Sequence, residues 1–182
     1  MLNERNLDGA IILVADDNPN NLQVIEAMLR EFGCEVRIAL DGEAAVKSAL
    51  GQPPDLILLD IHMPKLDGYG ACTQLKENEK TRSIPVLFAS AMNDEFNKVK
   101  GFSLGAVDYI TKPLQLEELR ARVGVHLQIS RQRDKLILQA EELKVFNNSM
   151  MGREMRILEL KKEANELSRL ASRELPYPEI DE

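Results

Sequence analysis

Four short apolar runs each lead into a residue able to do chemistry. Ala10–Ala15 (AIILVA) is followed by Asp16-Asp17 and Leu56–Leu59 (LILL) by Asp60. Ile84–Ala89 (IPVLFA) is followed by Ser90, and Ala106–Ile110 (AVDYI) by Thr111-Lys112-Pro113. If these runs are parallel strands of one sheet, their carboxyl ends share a side, and three carboxylates, a hydroxyl and an ammonium meet there. Carboxylates that crowded repel unless some are neutral or a cation sits among them. An all-oxygen donor set favours Mg2+, which takes one or two carboxylates, waters and a phosphate oxygen. A carboxylate can also attack a phosphoryl group and become an aspartyl phosphate. That transfer needs mainly positioning and neutralisation of the equatorial oxygens. Mg2+ can take one oxygen, Lys112 another, and the Ser90 hydroxyl the third, together with backbone amides of the Ile61–Gly68 loop (IHMPKLDG). Taken singly, each residue has an ordinary use. Asp17 ahead of Asn18-Pro19 can cap a helix, Asp60 can cap its loop, and a lysine is usually solvated. The coincidence at four strand ends is what points to a site.

The elements that must position these residues follow from the hydrophobic pattern. The runs at 10–15, 56–59 and 84–89 are nearly continuous, as in parallel strands covered on both faces. Glu35–Ala39 (EVRIA) adds a fifth strand. Pro19 suits a first helical position after Asn18, with Leu22, Ile25, Met28 and Leu29 at helical spacing and Gly33 as the stop. Asp41–Leu50, Tyr69–Glu79, Asn93–Leu104 and the segment from Leu114 onward complete the helices. Strands alternating with helices predict an α/β, doubly wound, five-stranded parallel sheet. Ligands in such folds bind outside the carboxyl ends of the strands.

Composition narrows the function classes. The chain has 182 residues, 23 Lys+Arg against 30 Asp+Glu, and a net charge of −7. A hydrophobic content of 44% supplies a core and excludes wholesale disorder. Cys34 and Cys72 cannot make a disulfide scaffold or a multi-cysteine zinc site, and both read as small apolar packing. Aromatic residues at 4%, with no Trp, argue against a stacking surface for sugars or single-stranded nucleic acid. The acidic balance gives no general attraction to phosphate backbones. No apolar run reaches the roughly 18–20 residues of a membrane span, and the polar Met1–Asp8 does not read as a signal peptide. The expectation is a soluble, cytoplasmic protein without nucleic-acid or membrane partners.

Asp16-Asp17-Asn18, the stretch DLILLDIHMPKLDG around Asp60, PVLFASA through Ser90-Ala91, and DYITKP through Lys112-Pro113 together resemble the receiver domain of two-component response regulators. The resemblance covers about residues 8–128, taken as the receiver domain, and implies the flavodoxin-like strand order 2-1-3-4-5. It implies that Asp60 accepts a phosphoryl group from the phosphohistidine of a histidine kinase or phosphotransfer protein. Asp17, Asp60 and the His62 backbone carbonyl would hold Mg2+, with Asp16 assisting through a water. Lys112 would pair with the phosphoryl oxygens, or with Asp60 in their absence. Ser90 would move toward the phosphoryl group and Tyr109 would rotate inward behind it, reshaping the surface of the fourth helix, fifth strand and fifth helix. A cis bond between Lys112 and Pro113 fits the same resemblance. Ser90 replaces the more usual Thr, keeping the hydroxyl and losing a methyl. His62 and Met92 occupy variable positions where side chains shield or admit hydrolytic water, and the apolar Met92 predicts slow self-dephosphorylation. His62 is expected to supply backbone rather than a base, and His126 to be structural.

Past residue 116 the chain changes character, with only Gly124 and Gly152 as breakers before Leu175. Heptads counted from Leu136 put Leu136, Leu143, Met150, Ile157, Ala164 and Ala171 at position a. Position d holds Gln139, Phe146, Arg153, Leu160 and Leu167. Residues 129–175 therefore read as a long coiled-coil-type α-helical extension, ended by Pro176 and Pro178, with 176–182 a flexible tail. Asn147–Ser149 and Gly152 mark an expected kink or break, with a Ser149 cap as the alternative. An apolar stripe left in water is unfavourable, so homodimerisation through this helix is expected over folding back. No helix-turn-helix spacing, zinc pattern or glycine-rich nucleotide loop is visible. The expectation is a response regulator with no DNA-binding or enzymatic output domain, signalling through its receiver surface and dimerising helix to an unidentified protein. Phe146–Leu167 also resembles helical linkers beside sensor and receiver modules, so a connector or fragment of a larger hybrid kinase or regulator stays open. A phosphorylation-independent coiled-coil adaptor is the other alternative, and the intact Asp17, Asp60, Ser90 and Lys112 stand against it.

Overall fold

The computed structural model describes residues 7–91 and 95–170. Met92, Pro176 and Pro178 lie outside the described residues, as do the expectations resting on them. The elements alternate as β1(Ile11–Ala15), α1(Pro19–Glu31), β2(Glu35–Ala39), α2(Gly42–Gly51), β3(Leu56–Asp60) and α3(Gly68–Glu77). They continue as β4(Val86–Ala91), α4(Glu95–Ser103), β5(Asp108–Lys112) and α5(Leu116–Leu170). The strands form one parallel sheet in the order β2-β1-β3-β4-β5, the doubly wound, flavodoxin-like receiver fold that the motifs imply. The register sets Ala15 beside Leu59, Asp60 beside Ala89, and Ala91 beside Lys112. The carboxyl ends of β1, β3, β4 and β5 are therefore level.

Continuous apolar strands need cover on both faces. On one face Leu13, Ile57, Leu59 and Phe88 pack with Ala45, Ala49, Cys72 and Leu75 of α2 and α3. On the other, Ile12, Val14, Leu58 and Ile110 pack with Leu22, Ile25 and Leu29 of α1 and with Leu119, Val123 and Leu127 of α5. Each fully buried Leu, Ile, Val or Phe among these contributes roughly 1.5–3 kcal/mol relative to exposure.

One local outcome matches the expected start of α1, and two differ from the expectations. The N-cap of α1 is Asn18, whose side chain accepts a 3.0 Å bond from the Asn20 N–H, so Asp17 is not spent on capping and stays exposed. β5 starts at Asp108 rather than Ala106, because the Ala106 N–H donates to the Gly101 carbonyl in the turn that closes α4. α5 runs unbroken through Asn147–Ser149 and Gly152, where an interruption was expected. One glycine costs about 1 kcal/mol against alanine in a helix, too little to end one flanked by good helix formers.

The chain divides into two compact units at Gln132/Arg133. The first holds the sheet and its covering helices. The second is helical as far as Leu170, with Leu136, Leu143, Phe146, Met150, Ile157, Leu160 and Leu167 exposed. No helix among the described residues is long and apolar enough to cross a membrane.

Candidate functional site

The sheet's carboxyl edge gathers the predicted carboxylates. Asp16, Asp17 and Asp60 each offer an oxygen within 4.8 Å of the others. Asp17 is exposed, whereas Asp16 and Asp60 retain only 1% and 7% of their accessible surface. Lys112, from the end of β5, sits between the two buried acids. Its Nζ lies 2.7 Å from Asp16 Oδ2 and 2.9 Å from Asp60 Oδ1. Asp60 Oδ1 also accepts a 2.9 Å bond from the Ile61 N–H. Asp16 takes further donors from α1: the Asn18 N–H at 2.9 Å, and Asn21 Nδ2 at 3.1 Å from each oxygen.

One ammonium between two carboxylates leaves an excess of negative charge. Burial pushes the Asp60 carboxyl above its ordinary range, and Asp16 adds to this, while Lys112 and the Ile61 N–H offset it only in part. Burial alone would lower Lys112, but Asp16 and Asp60 outweigh it and hold the ammonium above its ordinary value. The lysine is a fixed cation, and the acids have room for another. The donor set is all oxygen, with one exposed carboxylate at its rim, which fits a hard divalent ion such as Mg2+.

Ser90 ends β4 at the same edge. It is 1% exposed, and its Oγ has no hydrogen-bond partner among the described residues. A buried hydroxyl left unpaired costs about 1–3 kcal/mol, so a Ser90 Oγ without a partner at the end of β4 is informative. Behind it Tyr109 is buried in an aromatic row. Its ring centroid lies 5.3 Å from Phe88 and 5.2 Å from Phe102, and Phe88 is 5.3 Å from Tyr69. Burial pushes the Tyr109 phenol up to about 12. Tyr109 is thus inside while Lys112 rests on Asp60. Space for the ring comes from Gly101 in α4, where a Cβ would fall 1.6 Å from Tyr109 Oη.

The loop after Asp60 is clipped at both ends. A Cβ at Gly68 would fall 2.2 Å from the Asp60 carbonyl oxygen, and the Gly68 N–H donates to the Ile61 carbonyl at 2.9 Å. Asp67 caps α3 by accepting from the Gly70 N–H at 2.7 Å. Lys65, at φ 63°, pairs with Asp41, and the Gly42 N–H donates to the Leu66 carbonyl at 3.2 Å. The His62 side chain is exposed. The Lys112-Pro113 bond is cis.

His126 lies away from the strand-end acids. Its Nε2 is 3.0 Å from Asp108 Oδ2, in a cluster where Arg122 donates to both Asp108 oxygens at 2.7 Å. Cys34 and Cys72 are buried thiols, and burial raises Cys34 to about 11 and raises Cys72 as well.

The sequence model of the response regulator receiver domain matches residues 12–124. The chain belongs to that family, whose members act in two-component signalling, are phosphorylated by histidine kinases and bind Mg2+ at an acidic site. Protein PilG of Pseudomonas aeruginosa is 36% identical over 124 residues, covering 68% of this chain and 92% of PilG. The alkaline phosphatase synthesis transcriptional regulatory protein PhoP of Bacillus subtilis is 39% identical over 144 residues, covering 79% of this chain. The match spans only 55% of PhoP, so this chain corresponds to about half of that relative. Among solved structures, the receiver domain of the sensor histidine kinase PA1611 of Pseudomonas aeruginosa is 37% identical with a TM-score of 0.62. The match covers 66% of this chain and 98% of that one, which carries a magnesium ion in its active-site cleft.

Proposed function

We propose that Asp60 is the phosphoacceptor of a two-component response regulator. The observation that carries this is Lys112 held between Asp16 and Asp60, with a buried Ser90 Oγ that has no partner among the described residues at the end of the adjacent strand β4. A carboxylate oxygen of Asp60 attacks the phosphorus of a phosphohistidine on a histidine kinase or phosphotransfer protein. The new O–P bond forms as the P–N bond breaks, and the electron pair leaves on the imidazole. Lys112 passes from the Asp60 carboxylate to a phosphoryl oxygen, and Asn21 and the Asn18 N–H keep Asp16 paired as it does so. The Ser90 hydroxyl donates to a second phosphoryl oxygen. Asp17, Asp60 and the His62 backbone carbonyl would hold Mg2+, with Asp16 assisting through a water. Bound there, the ion supplies charge neutralisation for the transferred group.

Output then runs through the receiver surface of α4, β5 and α5 and through the helical extension, which is read as a homodimerising coiled coil. The exposed apolar residues at heptad positions support that reading. The receiver comprises residues 8–128 and the extension 129–175. A cytoplasmic setting and a slow self-dephosphorylation governed by Met92 belong to the same proposal. The second reading is a connector within a longer kinase or regulator, which the greater length of PhoP favours.

The test is incubation of the full chain with a small-molecule phosphodonor and Mg2+, followed by mass and oligomeric state. One phosphoryl group is expected on the wild type and none on Asp60→Asn. Equal labelling of Asp60→Asn would remove Asp60 from its role.

A further inference from the structure

We infer that α5 pairs with α5 of a second copy in antiparallel orientation, centred at Asn148. The inference rests on the coiled-coil reading above and adds its direction and register. The helix is continuous across Asn147–Ser149 and Gly152, so one heptad frame holds from 133 to 170, along a surface exposed from 134 to 160 and partly covered at Lys161, Ala164, Asn165 and Ser168.

A parallel pair sets a against a and d against d. Arg153, at d, would then meet Arg153 of the second copy inside the seam. On the flanks, g residues face e residues of the next heptad. Arg156 would meet Lys161, while Glu142 would meet Asn147 and Glu163 would meet Ser168. Parallel pairing thus gives like charges and no opposite ones.

An antiparallel pair sets a against d. With Phe146 facing Met150 of the second copy, Leu136 faces Leu160, and Arg153 lies across Leu143 rather than across another arginine. The g residues now face one another. Lys135 meets Glu163, Glu142 meets Arg156, and Ser149 meets Ser149 at the centre. The two-fold repeats every one of these off-centre pairs. The cost is one like-charge flank, Arg133 against Lys161. Sliding by a heptad would oppose Lys135 to Arg156, or Glu142 to Glu163, so the charges select this register over its neighbours. Arg156 now bonds Glu159 of its own helix at 3.0 Å, but both side chains are exposed, and such a pair offers little resistance to re-pairing.

The two orientations give Arg156→Glu opposite signs. In the antiparallel pair it opposes Glu142, and dimer dissociation measured by sedimentation should become roughly 5- to 30-fold easier. In a parallel pair it would meet Lys161 and tighten the dimer. Adding Glu142→Arg to the same full-length chain should restore wild-type affinity. Independently, oxidation of a mixture of Leu136→Cys and Leu160→Cys chains should give a disulfide between the two kinds, whereas Leu136→Cys alone should not cross-link. The native Cys34 and Cys72 are buried and stay silent. A tighter Arg156→Glu dimer, or self-cross-linking of Leu136→Cys, overturns the antiparallel arrangement and leaves the dimer standing. A wild-type chain that stays monomeric overturns both.

Discussion

Replacing Gly101 with alanine sets two effects against each other. In an open helix interior the change gains about 1 kcal/mol. Here the new Cβ would fall 1.6 Å from Tyr109 Oη, 2.7 Å from its Cζ and 2.9 Å from Phe88 Cε2. The nearest atom belongs to a ring gripped on both sides, so the tyrosine must withdraw or α4 must move. Withdrawal forfeits roughly 1.5–3 kcal/mol of burial and about 0.5–1.5 kcal/mol of aromatic pairing with Phe88 and Phe102. After the helix gain, Gly101→Ala should destabilise the receiver by about 1–3.5 kcal/mol. Urea unfolding at pH 7 measures this directly. In a Tyr109→Ala background the principal clash is gone, and the same substitution should be neutral or stabilising by up to about 1 kcal/mol. An alkaline titration of phenolate absorbance adds a second reading. Burial holds the wild-type Tyr109 phenol up at about 12, and withdrawal should return it toward its ordinary 10.0. A Gly101→Ala protein as stable as wild type, with the Tyr109 phenol still raised, would refute the notion that Gly101 makes the space.

Two further outcomes follow from the charges. Lys112→Met leaves Asp16 and Asp60 facing each other without a cation and should cost about 2–4 kcal/mol at pH 7 in urea unfolding. The Asp60 carboxyl is raised in the folded state, so folding takes up protons as pH rises past its ordinary 3.8, and stability falls until the raised value is passed. The Lys112→Met deficit should accordingly be largest at neutral pH and shrink below the ordinary carboxyl range. Asp108 has the opposite sign. Burial raises it, but His126, the Tyr109 N–H and Arg122 together hold it below 3.8, so its stabilisation is present above that range and lost as pH falls through it. Asp108→Asn should cost about 1 kcal/mol at pH 7, kept small by the exposure of Arg122, and nothing in strong acid.

The strand ends were legible because a parallel strand buried on both faces reads as an unbroken apolar run, and whatever follows it stands at the sheet's edge. Asp16, Asp17, Asp60, Ser90 and Lys112 all came to that edge for this reason. Asn21 was not foreseen. A polar residue in the first turns of α1 has no pattern to distinguish one that faces solvent from one that holds Asp16. Gly101 was equally silent, since its role depends on a ring arriving from β5. The supposed break near Gly152 failed because a local breaker was weighed without the run of helix formers around it.

The ion pair across the sheet has a consequence for how the chain folds. Lys112 Nζ reaches Asp16 over 96 residues of sequence. β1 and β3 are neighbours and can zip early, yet their acids then stand together without a counter-ion. β5, last strand in sequence and outermost beside β4, brings the missing positive charge. Contacts so distant along the chain form late, because loop closure precedes their reward. The pocket is therefore finished by the final strand to dock, and a receiver whose acids are neutralised is one whose whole sheet has assembled.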